Sequence, residues 1–78
     1  MDLNTNYQSG FISLDFSGNI VVIKTRNGYA AGLAYDIDMH DFKEILGTIP
    51  GSDTIFAILR EGVTHEDARK VLSQLLPL

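Results

Sequence analysis

No cysteine occurs in the chain, which excludes disulfide staples and the usual cysteine-bearing zinc sites and fits a reducing compartment. No apolar run approaches the roughly 20 residues that cross a bilayer. The first residues, Met1-Asp2-Leu3-Asn4-Thr5-Asn6, lack the basic and apolar regions of a secretory signal. A soluble, cytoplasmic protein with no membrane partner is therefore expected. Positive charge is scarce: six Lys and Arg face ten Asp and Glu, for a formal net charge of −4. Lys24, Arg26, Lys43, Arg60, Arg69 and Lys70 are scattered along the chain, so no basic patch for a phosphate backbone is visible.

Catalytic and metal-binding patterns are missing as well. His40 and His65 are the only histidines, and their spacing matches no recognised ligand pair. His40 is expected near a helix C-terminus, where an imidazole interacts well with the helix dipole, and His65 is expected to be solvated in a first turn. There is no G-x-S-x-G elbow and no phosphate-cradling glycine pattern. Neither an enzyme activity, nor a metal, nor a cofactor is expected.

What the chain does have is the composition of one ordinary globular domain, with 45% hydrophobic and 21% charged residues in 78 positions. A chain this short buries only about 60% of the surface its unfolded form exposes. With disulfides and zinc excluded, self-association is the expected source of further stability.

The hydropathy pattern divides the sequence into six elements. Met1 to Gly10 is polar and reads as an arm or linker, with a strand at most near its end. Ile12, Leu14 and Phe16 alternate with Ser13 and Asp15, the period of a strand with one wet face. After the turn Ser17-Gly18-Asn19, the β-branched run Ile20 to Thr25 predicts a strand buried on both faces. From Tyr29 to about Met39 the spacing of Ala30, Leu33, Ala34 and Ile37 predicts a helix. Its alanines and Gly32 give a thin face suited to close approach. Glu44–Ile49 and Thr54–Leu59 predict two more strands. Between them Pro50 presets φ, and Gly51 is suited to a tight turn through a positive φ. Thr64 is placed as the N-cap of a last helix, followed by acidic Glu66 and Asp67. Ala68, Val71, Leu72, Leu75 and Leu76 keep helical spacing to about Leu76. The order ββαββα predicts an α+β fold: a single-layer, four-stranded antiparallel sheet with both helices on one face.

Two loops are candidates for binding, since functional residues favour loops held by a rigid scaffold. One runs from Thr25 to Ala31 into a helix N-terminus, where a ligand carboxylate is attracted. The other runs from Gly47 to Thr54 between two strands. On spacing alone, the plain-turn reading of both is favoured.

At these loops the sequence resembles a known family. Asn19 to Thr25, Gly28-x-Ala30, Ile37-Asp38 and the run Glu44-Ile45-Leu46-Gly47-Thr48-Ile49-x-Gly51-x-Asp53-Thr54-Ile55-Phe56 are similar to the C-terminal domain of bacterial arginine repressors. The resemblance covers about residues 12 to 76, and its most specific part is Gly-Thr-Ile-x-Gly-x-Asp-Thr. It implies an arm over 1–10 and an oligomerisation and effector domain over 11–78. In that family this domain follows a winged helix-turn-helix that binds operator DNA, forms trimers that stack into hexamers, and holds L-arginine between trimers as corepressor. The resemblance therefore implies that Met1 begins a truncated chain, and that operator DNA is met only through the absent winged helix-turn-helix.

Effector-sensing members usually read Gly-Ala-Ala-Gln and Gly-Asp-Asp-Thr where this chain has Gly28-Tyr29-Ala30-Ala31 and Gly51-Ser52-Asp53-Thr54. The implied effector positions are thus Gly28, Ala30, Ala31, Asp38, Ser52 and Asp53. Ala31 stands in place of a glutamine and Ser52 in place of an aspartate. A guanidinium suits paired carboxylates, and losing one is expected to remove about 1.5–3 kcal/mol per site, roughly ten- to a hundredfold in affinity. The same loss relieves carboxylate repulsion where trimers meet, so assembly is expected to depend less on arginine. The expectation is an arginine-repressor-like effector domain with weakened or altered recognition, open to a related amino acid or to mixed assembly with a paralogue. The competing reading is a stand-alone small-molecule-binding domain that regulates a metabolic enzyme.

Overall fold

Strand alternation decides which side chains the sheet hides. A computed structural model describes residues 10–78, with β1 (Phe11–Ser17), β2 (Ile20–Thr25), α1 (Ala30–His40), β3 (Ile45–Pro50), β4 (Thr54–Leu59) and α2 (His65–Leu72). The expected strand near the end of the N-terminal arm falls outside the described residues. All three strand pairings are antiparallel, in the order β1-β2-β4-β3. Val21 and Ile23 of β2 and Ile55, Ala57 and Leu59 of β4 point to one face. There they join Ala30, Leu33, Ala34 and Ile37 of α1 and Ala68 and Leu72 of α2 in a single buried core. The α+β architecture with both helices on one face is the one that the hydropathy pattern predicts.

The other face of the sheet differs from expectation. Residues alternate with the core set, so Ile20 and Val22 of β2 lie beside Phe56 and Ile58 of β4, and Ile49 of β3 pairs with Phe56. Ile49 is 68% and Phe56 46% exposed, while Ile20, Val22 and Ile58 are half-buried. β2 is therefore covered on one face only in a single chain. Its β-branched composition satisfies both faces only if something else covers the second.

Both edge strands are irregular. β1 carries an extra residue at Ile12 and β3 one at Leu46, each outward and exposed. Such bulges twist an edge and discourage further strand pairing.

The helices follow their local signals with two corrections. Thr64 caps α2 by accepting from the Asp67 backbone N–H at 3.0 Å, an arrangement worth about 1 kcal/mol. Regular α2 ends at Leu72 rather than near Leu76. The Leu75 N–H turns back to the Leu72 carbonyl, a tighter i to i−3 bond, and the Leu76 N–H bonds the same carbonyl. Leu76 still reaches the core and is 2% exposed, so the apolar spacing survives the change of helix type. His65 is not simply solvated. Its Nε2 lies 2.7 Å from the Gly18 carbonyl, and its ring stacks on Phe16 at 4.3 Å, tying α2 to the β1–β2 turn. His40 stands in the last turn of α1 with Nδ1 3.1 Å from the Asp36 carbonyl, as its position predicts. The thin face of α1 is used in part: Ala30 and Ala34 are buried, whereas nothing approaches Gly32 within 4 Å.

Candidate functional site

The two candidate loops are adjacent because β2 and β4 pair in the centre of the sheet. Lys24 stands opposite Thr54 at the end of that pairing, so the chain leaving β2 and the chain entering β4 meet. Backbone hydrogen bonds then join them. The Thr25 N–H donates to the Asp53 carbonyl at 2.8 Å, and the Gly28 N–H donates to the Ser52 carbonyl at 2.7 Å. Gly28 adopts φ +88°, a conformation available to glycine at little cost, and this turns its N–H towards the facing loop. Gly51 does not use a positive φ, contrary to expectation. The Gly51 N–H closes the β3–β4 loop on the Thr54 carbonyl at 2.6 Å instead.

Gly28, Ser52 and Asp53 thus form one junction, and Ala30 and Ala31 begin α1 directly beyond it. Tyr29 is the N-cap residue, and its side chain makes no capping hydrogen bond. The backbone donors in the first turn of a helix have no intrahelical partner, which suits that turn to a carboxylate.

Asp53 is held by a relay that the sequence did not disclose. The Lys24 ammonium donates to Thr54 Oγ1 at 2.9 Å, and Thr54 Oγ1 lies 2.8 Å from Asp53 Oδ1. An ammonium has donors only, so the hydroxyl accepts from it and directs its own proton to the carboxylate. One carboxylate oxygen is oriented in this way, and Oδ2 makes no hydrogen bond among the described residues. Lys24 could have been singled out as the one charged side chain in a strand of β-branched residues, but its partner depends on a register that no local pattern specifies.

Asp38 lies elsewhere. It is in the last turns of α1, about 12 Å along the helix from Ala30. There it accepts from Thr48 Oγ1 of β3 through both oxygens, at 3.0 and 3.1 Å. The pair borders a cleft of about 350 Å³ between the end of α1 and β3, lined by Ile37, Asp41 and Phe42 among others. A single chain therefore brings Gly28, Ala30, Ala31, Ser52 and Asp53 together and leaves Asp38 two turns of helix away. A larger hollow of about 460 Å³, between Lys43, Arg60 and Val63, lies away from both loops. A third of about 250 Å³, lined by Ile49, Pro50, Gly51, Thr54 and Phe56, joins the β3–β4 loop to the open apolar face. Ser52 and Asp53 themselves are exposed. The junction is an edge rather than an enclosed pocket.

No helix among the described residues is long and apolar enough to cross a membrane. No group of three or more His, Cys, Asp or Glu among them could hold a metal ion.

Comparison with known proteins shows the family. The family model described as the arginine repressor C-terminal domain matches residues 7–74. An arginine repressor from Bacteroides thetaiotaomicron is 61% identical over 69 residues, covering 88% of this chain and 44% of its own length. One from Phocaeicola vulgatus is 56% identical over the same number of residues, with the same coverage. One from Thermotoga maritima is 43% identical over 75 residues, 96% of this chain and 49% of its own length. The chain spans less than half the length of these relatives.

Proposed function

The chain belongs to the arginine repressor C-terminal domain family, and from that premise we propose that it is the non-enzymatic oligomerisation and effector domain of an arginine-responsive transcriptional repressor. The observation that carries this reading is the joined pair of loops, which presents the Asp53 carboxylate beside the uncapped first turn of α1. A carboxylate and a helix N-terminus side by side complement a zwitterionic amino acid with a cationic side chain. Operator DNA is contacted by a part of the longer repressor outside this sequence, in keeping with the net charge of −4 here.

Association follows from the sheet. The open face of Ile20, Val22, Ile49, Phe56 and Ile58 is the kind of contiguous apolar surface that marks an interface. Covering it in a trimer gives β2 the second buried face that its composition calls for. Asp38 supports a site between copies, because its distance from Asp53 along one chain is bridged if the two aspartates come from different subunits. A second trimer then completes the effector site, with either the same chain or a paralogue supplying the facing residues.

Recognition of arginine is weaker than a paired-carboxylate site would give, since Ser52 offers a hydroxyl. Calorimetry is expected to show arginine binding that Asp53→Asn weakens by a further ten- to a hundredfold, roughly the 1.5–3 kcal/mol of a hydrogen bond to a charged group. Unchanged affinity in that variant would remove Asp53 from the site.

The missing carboxylate also lowers repulsion at the closed interface. Sedimentation velocity is expected to give nearly the same distribution of trimer and hexamer at zero and millimolar arginine. A clear ligand-driven shift from trimer to hexamer would overturn the claim that Ser52 relaxes the dependence.

A further inference from the structure

We propose that Asn27 is a site of spontaneous covalent modification, deamidation through a cyclic imide closed by the Gly28 nitrogen, and that the closed loop junction holds this reaction in check. Neither claim depends on which ligand the junction binds.

The reactive step is present once in the chain. Of the asparagines Asn4, Asn6, Asn19 and Asn27, only Asn27 is followed by glycine. A side chain on the following residue hinders attack of its backbone nitrogen on the asparagine amide, and glycine has none. Asn27 is exposed, and its side-chain amide makes no hydrogen bond among the described residues. None of them comes within 4 Å of a Cβ built at Gly28. The space that the ring needs is open.

The chemistry needs only water. The Gly28 nitrogen attacks Asn27 Cγ and gives up its proton, the bond from Cγ to the side-chain nitrogen breaks, and ammonia leaves. A five-membered imide remains. Water then adds at one imide carbonyl and breaks its bond to the Gly28 nitrogen, giving aspartate when Cγ is attacked and isoaspartate when the main-chain carbonyl is. Nothing is oxidised or reduced.

The folded junction opposes ring closure in two ways. The Tyr29 N–H donates to the Arg26 carbonyl at 3.0 Å, Gly28 has φ +88°, and Asp41 is the only non-glycine residue with positive φ among those described. Residues 26–29 therefore form a type II turn, in which Asn27 takes ψ of about +120°. That ψ turns the Gly28 nitrogen away from the Asn27 side chain, whereas the ring needs both on the same side of the Cα–C bond. The nitrogen is also occupied. Its proton is donated to the Ser52 carbonyl at 2.7 Å, an acceptor that cannot remove it. Deamidation must wait until turn and junction open, as amide hydrogen exchange does.

The main product then acts back on the junction. Isoaspartate routes the main chain through Cβ and Cγ, so the path from Arg26 to Gly28 gains one atom. The Arg26–Tyr29 turn and the Gly28–Ser52 bond no longer fit together. Either product adds one negative charge to a chain whose net charge is −4, which makes the modified forms separable by anion exchange.

The test incubates the 78-residue protein in mildly alkaline buffer, folded, in sub-denaturing guanidinium chloride and fully unfolded. Peptide mass spectrometry follows the amide-to-acid conversion, enzymatic methylation of isoaspartate identifies the product, and NMR follows exchange of the Gly28 amide. In the unfolded chain Asn27 is expected to react faster than Asn4, Asn6 or Asn19. In the folded protein it is expected to react about ten- to a hundredfold more slowly than when unfolded, the factor for opening two hydrogen bonds. Deamidation and Gly28 exchange should rise in parallel with guanidinium, and Asn27→Gln should abolish the product at this position. In the purified isoaspartyl form the Gly28 amide is expected to exchange about tenfold faster, the factor for losing one or two hydrogen bonds. Asn27 reacting no faster than the other asparagines in the unfolded chain overturns the site. Equal rates folded and unfolded, or Gly28 exchange that rises while deamidation does not, overturn the control by the junction. Unchanged Gly28 exchange in the isoaspartyl form overturns the effect of the product on the junction.

Discussion

Replacing Gly10 by alanine is expected to destabilise the fold by about 2–5 kcal/mol, although the residue lies just before the first strand. Two costs add. At φ +69° an L-residue sits in the left-handed region, which costs roughly 1–2 kcal/mol. The new methyl would also stand 2.5 Å from Tyr29 Cγ, and relieving overpacking of that kind costs about 1–3 kcal/mol. The second part belongs to the pair and the first to the backbone. A double-mutant cycle with Tyr29→Ala is expected to return a coupling of at least about 1 kcal/mol while leaving the φ cost in place. Urea denaturation at one fixed protein concentration measures both, since association contributes to apparent stability. A Gly10→Ala midpoint indistinguishable from that of the parent would mean that the tyrosine swings away freely and that its packing is not a constraint.

Leu72→Ala is expected to have an effect of similar size for a different reason. Within α2, Ala68 and Leu72 are the residues buried in the core, and Leu72 is fully hidden. Ala68 contributes a methyl, so Leu72 is the main apolar anchor of the regular helix. Truncating a buried leucine costs about 2–5 kcal/mol, against a total near 4–12 kcal/mol for a domain of this length. The Leu72 carbonyl also accepts from both Leu75 and Leu76, so disorder at this position spreads to the turn that carries Leu76 into the core. Denaturation is expected to show the loss, with Leu72→Met, which conserves volume, within about 1.5 kcal/mol of the parent. A cost below about 1 kcal/mol for the alanine would show that α2 is anchored elsewhere.

These two sites differ in how far the sequence discloses them. Leu72 is legible because helical spacing is local: Ala68, Val71, Leu72, Leu75 and Leu76 announce their face without knowledge of what they pack on. The strands are legible in the same way, from alternation in β1 and β-branched density in β2. Gly10 and Tyr29 are not, because their contact joins two residues that come together only once β1 and β2 have paired. The Lys24, Thr54 and Asp53 relay and the stacking of His65 on Phe16 are hidden for the same reason: each needs a register or a helix position that emerges from the whole fold. The candidate site falls between these cases. Family resemblance points to Gly28, Ala30, Ala31, Asp38, Ser52 and Asp53 one by one, whereas the structure shows that the two loops are bonded to each other and that Asp38 stands apart. The open outer face escapes pattern reading too, since a β-branched strand looks the same whether its second cover is its own chain or another.

The order β1-β2-β4-β3 has a consequence for how the molecule is made. β1 with β2, and β3 with β4, are hairpins that close across short turns, events of about 1–10 µs. The central pairing is of another kind. It aligns Ile20 with Ile58 and Lys24 with Thr54, residues separated by about half of the chain, and the entropy of closing that loop must be lost before its contacts are gained. The zipping of β2 to β4 is therefore expected to be the slow step of folding, and stopped-flow refolding is expected to show substitutions along that seam slowing folding more than those within either hairpin. The seam ends where Thr25 and Gly28 meet Asp53 and Ser52. A partly folded chain with both hairpins formed but β2 and β4 unpaired therefore has not yet brought the two loops together.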